Sequence, residues 1–216
     1  MKHVAEVDRQ AETSVRMPTR RAMAKQKTRA KVLAAARELF STEGYEGATI
    51  RDIAAAAGMS TGAVFANFAD KSELFREIMV FDMAAVLEAM SEAAARGRTV
   101  DEALLKAFGA GYAFYRGQIH LVRAALGLSW SCDTGPALRE LPAMQDTVEL
   151  FAEHMALGVQ RGELSQECEI KLRSQMLFDS YLANYAHAVF GGWSLEALQA
   201  RSRDQIRVIL AGARRG

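Results

Sequence analysis

Two small hydroxyl side chains, Ser60 and Thr61, lie where a short helical pattern begins, and either can cap that helix. The preceding Gly58 is placed to end an earlier helix in the left-handed conformation that glycine adopts most easily. That earlier helix opens with Thr49 and Asp52, which have the spacing of a capping box. A helix, a glycine turn and a second short helix that starts with small polar residues predict a helix-turn-helix. In this motif the second helix enters the major groove of DNA by its N-terminal residues.

The elements that hold this motif are predicted to be helices. The 216 residues are 50% hydrophobic and 25% charged, and only three are proline. Because no long alternating run of β-branched residues occurs, the composition predicts an all-α protein that can bury a substantial core. We expect a three-helix N-terminal helix-turn-helix head and a larger helical body.

The chain is predicted to divide into three parts. Residues 1–23 are polar and aperiodic and are expected to form a flexible basic arm, residues 24–86 the head, and residues 87–216 the body. A helix from about Lys71 past Met90 is expected to bridge head and body, with Phe81 among the apolar side chains that face inward. The glycine at residue 97 interrupts this pattern.

Positive charge is concentrated before the motif, although the formal net charge is only +1. Residues 13–37 contain no Asp or Glu and eight basic residues: Arg16, Arg20, Arg21, Lys25, Lys27, Arg29, Lys31 and Arg37. Such a segment is expected of a surface that faces phosphates, although a disordered and solvated tail has the same composition. Next to a helix-turn-helix the two interpretations are compatible.

No pattern in the sequence indicates an enzyme. We find no nucleophile elbow, no glycine-rich phosphate loop and no H-E-x-x-H zinc motif, and Cys132 and Cys168 lack a metal-binding spacing. We therefore predict no catalytic residue, no cofactor and no metal. The N-terminal residues lack the apolar core of a signal peptide, and no apolar run is long enough for a membrane helix, so a cytoplasmic protein is expected.

The stretch ARELFSTEGYEGATIRDIAAAAGMSTGAVFANFADKSELF resembles the N-terminal domain of the TetR family of bacterial transcriptional regulators. The resemblance covers about 60 residues, from near Gln26 to Val86, and includes the pairs Leu39-Phe40 and Gly44-Tyr45. It implies a homodimeric repressor that a small molecule releases from a palindromic operator. The alternative is a DNA-binding protein of the same fold without an inducer, acting as an activator, a DNA organiser or a protein-recruiting factor.

The resemblance also implies which residues contact DNA. In the helix-turn-helix they are Thr49, Arg51, Ser60, Thr61, Gly62, Ala63, Phe65, Ala66, Asn67 and Lys71. Lys27 and Arg29 join them from the basic segment, which as an arm could reach an adjacent minor groove. This sequence has Phe65 where the family usually has Tyr, and the recognition face has few long polar side chains. Phosphate contacts are therefore expected to supply most of the affinity.

The body is expected to bind a small apolar or aromatic effector and to form the dimer. Ligand pockets are mostly apolar, so aromatic and methionine side chains, with one histidine, are the lining candidates: Phe108, Tyr112, Tyr115, Trp130, Met144, Phe151, His154, Met155, Phe178 and Tyr181. Stripes on the last two helices are the candidates for the dimer interface: Met176, Ala183, His187, Leu198, Ser202, Gln205 and Ile209. Packing within one chain would give both patterns as well.

Overall fold

The computed structural model describes residues 19–131, 135, 138 and 140–214, which form helices joined by short connections. The helices are α1 (Arg20–Thr42), α2 (Gly44–Gly47), α3 (Ile50–Ala56), α4 (Thr61–Phe65), α5 (Lys71–Ala95), α6 (Val100–Phe114), α7 (Ile119–Ser129), α8 (Pro142–Gln160), α9 (Ile170–Gly191) and α10 (Leu195–Ala211). The predicted all-α fold is confirmed. None of these helices is long and apolar enough to cross a membrane.

The head consists of α1 to α4 and the first turns of α5, packed around large apolar side chains. Phe40 of α1 is fully buried and packs against Phe75 of α5, with ring centroids 5.8 Å apart. Tyr45 of α2 contacts both rings, at 5.4 and 5.3 Å. Val64 and Phe68 anchor α4 and the following turn in the same core. Burial of these side chains holds α4 in a fixed orientation within the head.

Helices α6 to α10 and the rest of α5 form the body, with α6 packed between α5 and α10. Its centre is an aromatic cluster in which Phe108 lies 5.2 Å from Phe151 and 5.2 Å from Tyr181. Tyr112 stacks on Tyr181 at 5.1 Å. Helix α5 runs unbroken past residue 86, so the predicted border between head and body falls inside a continuous helix.

Helix α1 begins at Arg20, four residues before the predicted start. Thr19 caps it, because its Oγ1 accepts a hydrogen bond from the backbone N–H of Ala22 at 3.2 Å. The prediction of a flexible arm was therefore wrong for residues 20–23, and Arg20, Lys25, Lys27 and Arg29 lie on a helix. Residues 1–18 of the predicted arm lie outside the described residues, as does Cys132.

The prediction that Phe81 faces inward was also wrong. Phe81 is 74% exposed, whereas its neighbour Asp82 is 1% exposed. The helical period explains the exchange, because the buried residues of α5 recur every four positions as Leu74, Ile78, Asp82, Val86 and Met90, and Phe81 lies off this stripe. The buried position falls on Asp82, whose charge is paired with Arg37 of α1.

Candidate nucleic-acid interface and body cavity

The turn between α3 and α4 has the predicted geometry. Thr49 Oγ1 accepts a hydrogen bond from the N–H of Asp52 at 3.2 Å, and the Asp52 carboxylate accepts one from the N–H of Thr49 at 3.3 Å. Gly58 has φ of 68°, a left-handed conformation that costs glycine least. Ser60 caps α4 by accepting from the N–H of Ala63 at 3.2 Å. The capping box and the glycine turn are confirmed.

Helix α4 presents a small and mostly apolar surface to solvent. Thr61, Gly62 and Ala66 are exposed, and Phe65 is 56% exposed. These short side chains allow close approach to a groove wall, but only the Thr61 hydroxyl offers a hydrogen bond. Thr49, Arg51, Ser60 and Lys27 are exposed as well, whereas Ala63 is half-buried.

Asn67 does not lie on the exposed flank of α4 as predicted. Its side-chain amide N–H donates to the carbonyl oxygen of Ala63 at 2.9 Å, and its Oδ1 is buried with no partner in the part of the chain that the structure describes. The chain after α4 folds back toward the core, because Phe68 is buried there. Asn67 therefore closes the end of α4 and does not extend into solvent.

Arg29 holds the end of α4 against α1. Its guanidinium donates to the carbonyl oxygen of Asn67 and pairs with Glu77 of α5. The same group lies over the Phe68 ring, 4.1 Å from the centroid. These contacts engage both Nη atoms, so the geometry gives Arg29 a structural role in positioning α4 in place of the predicted DNA contact.

Lys71 ties the start of α5 to the end of α2. Its ammonium donates to the carbonyl oxygens of Tyr45 at 2.8 Å and Ala48 at 3.2 Å and lies 4.3 Å from the centroid of the Tyr45 ring. Burial raises the pKa of Tyr45, whose hydroxyl contacts Ser72 at 3.1 Å. Of three donor hydrogens on Lys71, one remains for a phosphate.

Sequence reasoning missed the ion pair that joins head and body. Arg37 of α1 pairs with Asp82 of α5 and donates to Gln118 Oε1, just before α7, at 2.7 Å. The second carboxylate oxygen of Asp82 is buried and has no hydrogen-bond partner among the described residues. Burial raises the pKa of Asp82, and the hydrogen bond and charge of Arg37 counteract part of that rise. The position of Asp82 in an apolar stripe was the only signal in the sequence.

A cavity of about 690 Å³ lies in the body between α5, α7, α8 and α9. Its lining is mostly aliphatic, aromatic and methionine side chains: Met79, Met83, Val86, Met90, Tyr115, Val122, Ala125, Leu126, Trp130, Leu138, Leu141, Met144, Phe178, Tyr181, Leu182, Ala183, Tyr185 and Ala186. Ser129, Thr147 and Asp179 complete it. The methionine stripe on α5 was missed, although Met79, Met83 and Met90 are four and seven residues apart, a spacing that places them on one helix face.

Five of the predicted lining residues border this cavity: Tyr115, Trp130, Met144, Phe178 and Tyr181. The other five do not: Phe108, Tyr112, Phe151, His154 and Met155. Phe108, Phe151 and Met155 have no exposed surface, because they fill the core behind the cavity wall. Tyr112 is bonded into a polar network, accepting from the side-chain amide of Asn184 at 3.0 Å. His154 is half-buried elsewhere on α8, where burial lowers its pKa.

The predicted dimer stripe on α10 faces the protomer's own core. Leu198 and Ile209 are buried, and Ser202 has no exposed surface and bonds the Leu198 carbonyl oxygen at 2.8 Å. Leu198 and Ser202 therefore face the interior of the chain, whereas Ile209 borders a shallow groove between α9 and α10. Gln205 is half-buried and accepts from Asn184 at 2.8 Å. The predicted residues on α9 remain accessible in part: Met176 and Ala183 are exposed, and His187 stacks on Trp193 at 4.5 Å.

Similar sequences match the head most closely. Residues 32–78 match the family described as bacterial regulatory proteins, tetR family. The HTH-type transcriptional repressor AcnR of Corynebacterium efficiens is 43% identical over 65 residues, which are 30% of this chain and 35% of that protein. The chain thus matches about a third of that relative's length. The HTH-type transcriptional regulator UidR of Escherichia coli K12 is 27% identical over 154 residues, 71% of this chain and 78% of UidR.

Solved structures share the whole fold. The transcriptional regulator FadR from Bacillus subtilis, in complex with stearoyl-CoA, has a TM-score of 0.69 and 19% identity, covering 85% of this chain and 98% of that one. A transcriptional regulator from Rhodococcus sp. Rha1 has a TM-score of 0.68 and 24% identity, covering 86% and 97%. At these identities the likeness establishes the fold.

The chain combines a capped helix-turn-helix with a second helical domain that contains a cavity. These features define a two-domain helix-turn-helix protein. The head matches the family described as bacterial regulatory proteins, tetR family, over residues 32–78. The chain as a whole has the fold of the solved transcriptional regulators.

Proposed function

We propose that this protein is a transcriptional regulator that binds operator DNA as a homodimer and releases it when a small apolar molecule occupies the body. The observation that carries the proposal is the exposed start of α4. Ser60 caps this helix, Thr61 and Gly62 are exposed, and the capped α3 precedes it across the Gly58 turn. This arrangement supports entry of α4 into the major groove by its first turn.

Contacts with the phosphates of the DNA backbone are proposed to supply most of the affinity for DNA. The exposed face of α4 offers the Thr61 hydroxyl and the Phe65 ring but no long polar side chain, so few base edges can be read directly. Arg51 and Lys27 are exposed cations in the head, suited to phosphate contacts. Specificity then depends in part on DNA shape, and the affinity depends steeply on salt.

A homodimer is proposed because one short recognition helix reads too few base pairs to specify an operator. Two-fold pairing would place two such helices about 34 Å apart. The outward faces of α9 and α10 support this pairing, since Leu172 is 55%, Met176 43% and Val208 65% exposed. Met176 and Val208 also border a shallow groove between these helices. Apolar side chains at these positions are the surface that a second copy would cover.

The cavity supports a ligand-responsive regulator over the alternative without an inducer. A body that served only to organise DNA would need no internal space, whereas about 690 Å³ is open here. This volume lies within the range of roughly 300–1,000 Å³ found for small-molecule sites. FadR from Bacillus subtilis, which has the same fold, was solved with stearoyl-CoA.

The proposal is tested by fluorescence anisotropy with labelled DNA from upstream of the protein's own gene. Binding is expected to weaken steeply between roughly 50 and 200 mM salt. Arg51→Ala is expected to reduce affinity and lower the salt slope by about one. The control is Arg203→Ala, which removes the same charge from an exposed position on α10. It should leave the affinity for DNA and the salt slope unchanged. Absence of binding at low salt would refute the proposal.

A further inference from the structure

Apart from the Tyr115 hydroxyl, the tyrosine and threonine hydroxyls in the cavity wall are already hydrogen-bonded within the protein. The Tyr181 and Tyr185 hydroxyls bond each other at 2.7 Å, and Tyr185 also donates to the Gly111 carbonyl oxygen at 3.0 Å. Thr147 Oγ1 donates to the Ala143 carbonyl oxygen at 2.7 Å. These three hydroxyls are therefore engaged within the protein, and the wall around them offers a ligand mainly carbon.

The wall also lacks positive charge. Among the lining residues that the structure describes, none is a lysine, an arginine or a histidine. The charged lining residue is Asp179, which is exposed at the rim and accepts from Gln175 at 2.9 Å. An anionic group would thus meet a carboxylate at the rim and uncharged walls further inside. Burying an unpaired ion among the inner walls is costly, and at the rim the Asp179 carboxylate repels an anion.

The Tyr115 hydroxyl can donate one hydrogen bond to a ligand but supplies no positive charge to balance an anion. It is buried without a hydrogen-bond partner in the part of the chain described. The side chain senses the charges of both Asp82 and Arg37, which form an ion pair of no net charge. An anion that reached this hydroxyl would therefore gain no net attraction from the pair behind it.

Methionine makes the wall adaptable in shape. Met79, Met83 and Met90 line the cavity from α5, and Met144 lines it from α8. An unbranched thioether side chain adopts many rotamers at small cost and fills irregular gaps. A wall of this kind can follow ligands of different outline but cannot supply a countercharge.

We propose that the cavity binds uncharged apolar molecules of varied shape and rejects those that carry a carboxylate or a phosphate. The inference rests on the proposed function, in which this cavity is the effector site. It narrows the effector to neutral lipophilic compounds, such as long-chain alcohols, esters or uncharged aromatic molecules. The selectivity of the cavity then depends on the charge of the ligand more than on its shape.

The test uses the full chain and two probes that share one alkyl chain, decanol and decanoate, at neutral pH. The protein has two tryptophans. Trp130 borders the cavity and is 86% exposed, whereas Trp193 lies outside the lining, against His187. In a Trp193→Phe background, Trp130 emission therefore reports occupancy. Decanol is expected to shift this emission to shorter wavelength, and decanoate to bind at least about tenfold more weakly.

The control variant Ala125→Phe places a ring in the cavity from α7, and Ala186→Phe does so from α9. Each is expected to abolish the decanol response while far-UV circular dichroism stays helical. Equal binding of decanol and decanoate would overturn the charge selectivity and leave the effector site in place. Decanol binding that persists in both filled variants would place the ligand elsewhere and overturn the inference. If neither probe changes Trp130 emission or DNA affinity, the effector site of the proposed function fails, and the inference fails with it.

Discussion

Arg37→Met is expected to destabilise the protein strongly because it leaves a buried carboxylate without its partner. Asp82 is 1% exposed, and one of its oxygens already lacks a hydrogen-bond partner. Breaking a buried ion pair from one side costs about 3–5 kcal/mol. Arg37 keeps 32% of its side chain exposed, and that access to water favours the lower end, about 3 kcal/mol. For a protein of this size the melting temperature should fall by about 6–12 °C.

Thermal unfolding followed by far-UV circular dichroism, repeated across pH, measures this loss. Burial raises the pKa of Asp82 above its ordinary value of 3.8, so the folded state binds a proton more readily than the unfolded chain. Such a group contributes stability below its ordinary pKa, and that contribution is lost as pH rises through the folded pKa. Removing Arg37 raises the pKa of Asp82 further. The penalty of Arg37→Met should therefore be largest at neutral pH and shrink on acidification toward the ordinary Asp value.

Two comparisons separate this explanation from a general loss of charge. The double variant Arg37→Met with Asp82→Leu removes both charges and should recover most of the stability, because no unpaired ion stays buried. Arg207→Ala breaks the ion pair with Asp204, in which the two charged groups are 3.4 Å apart and both side chains are exposed. This change should cost less than about 1 kcal/mol of stability. A loss below about 1 kcal/mol for Arg37→Met at neutral pH, or an equal loss at all pH values, would refute the reasoning.

Three further predictions concern the packing, the DNA-binding head and the dimer. Gly111→Ala places a Cβ 2.1 Å from the Tyr181 hydroxyl and should lower the free energy of unfolding by about 1–3 kcal/mol, measured with urea. Gly117→Ala is the control, because no described atom lies within 4 Å of its Cβ, and it should change that free energy little. Thr49→Ala removes the α3 cap and should cost about 1 kcal/mol and weaken operator binding, measured by anisotropy. Val208→Glu adds a charge at a 65% exposed apolar position and should shift sedimentation toward the monomer without loss of helix content.

The head could be predicted closely because its signals are local. The Thr49–Asp52 capping box, the Gly58 turn and the Ser60 cap each depend on residues within four positions of one another. The roles of Arg29 and Lys71 could not be predicted this way. Their partners come from other helices, and a basic residue in a phosphate-facing segment has the same sequence signature whether its charge is paired or free.

The body was harder to predict because burial and function leave the same periodicity. Phe108 and Phe151 have the helical spacing of lining residues but fill the core behind the wall. Leu198 and Ile209 form an apolar stripe that a partner helix must cover, and that partner is in the same chain. A stripe shows that a face is covered but does not show by which helix. The burial of Asp82 could not be predicted from its neighbours in the sequence either, because it depends on Arg37, which is 45 positions away.

Helix α5 links the head directly to the wall of the body cavity. Its first residue, Lys71, is bonded to the backbone of the head, and Met79 and Met83 lie in the cavity wall. Between these two methionines, Asp82 holds Arg37 of α1. Because α5 is one continuous helix of 25 residues, the proposed function expects a shift of the cavity wall to move the residues that support the helix-turn-helix. The proposed effector therefore needs no contact with the DNA-binding residues, because a difference in its affinity for two tilts of α5 is sufficient.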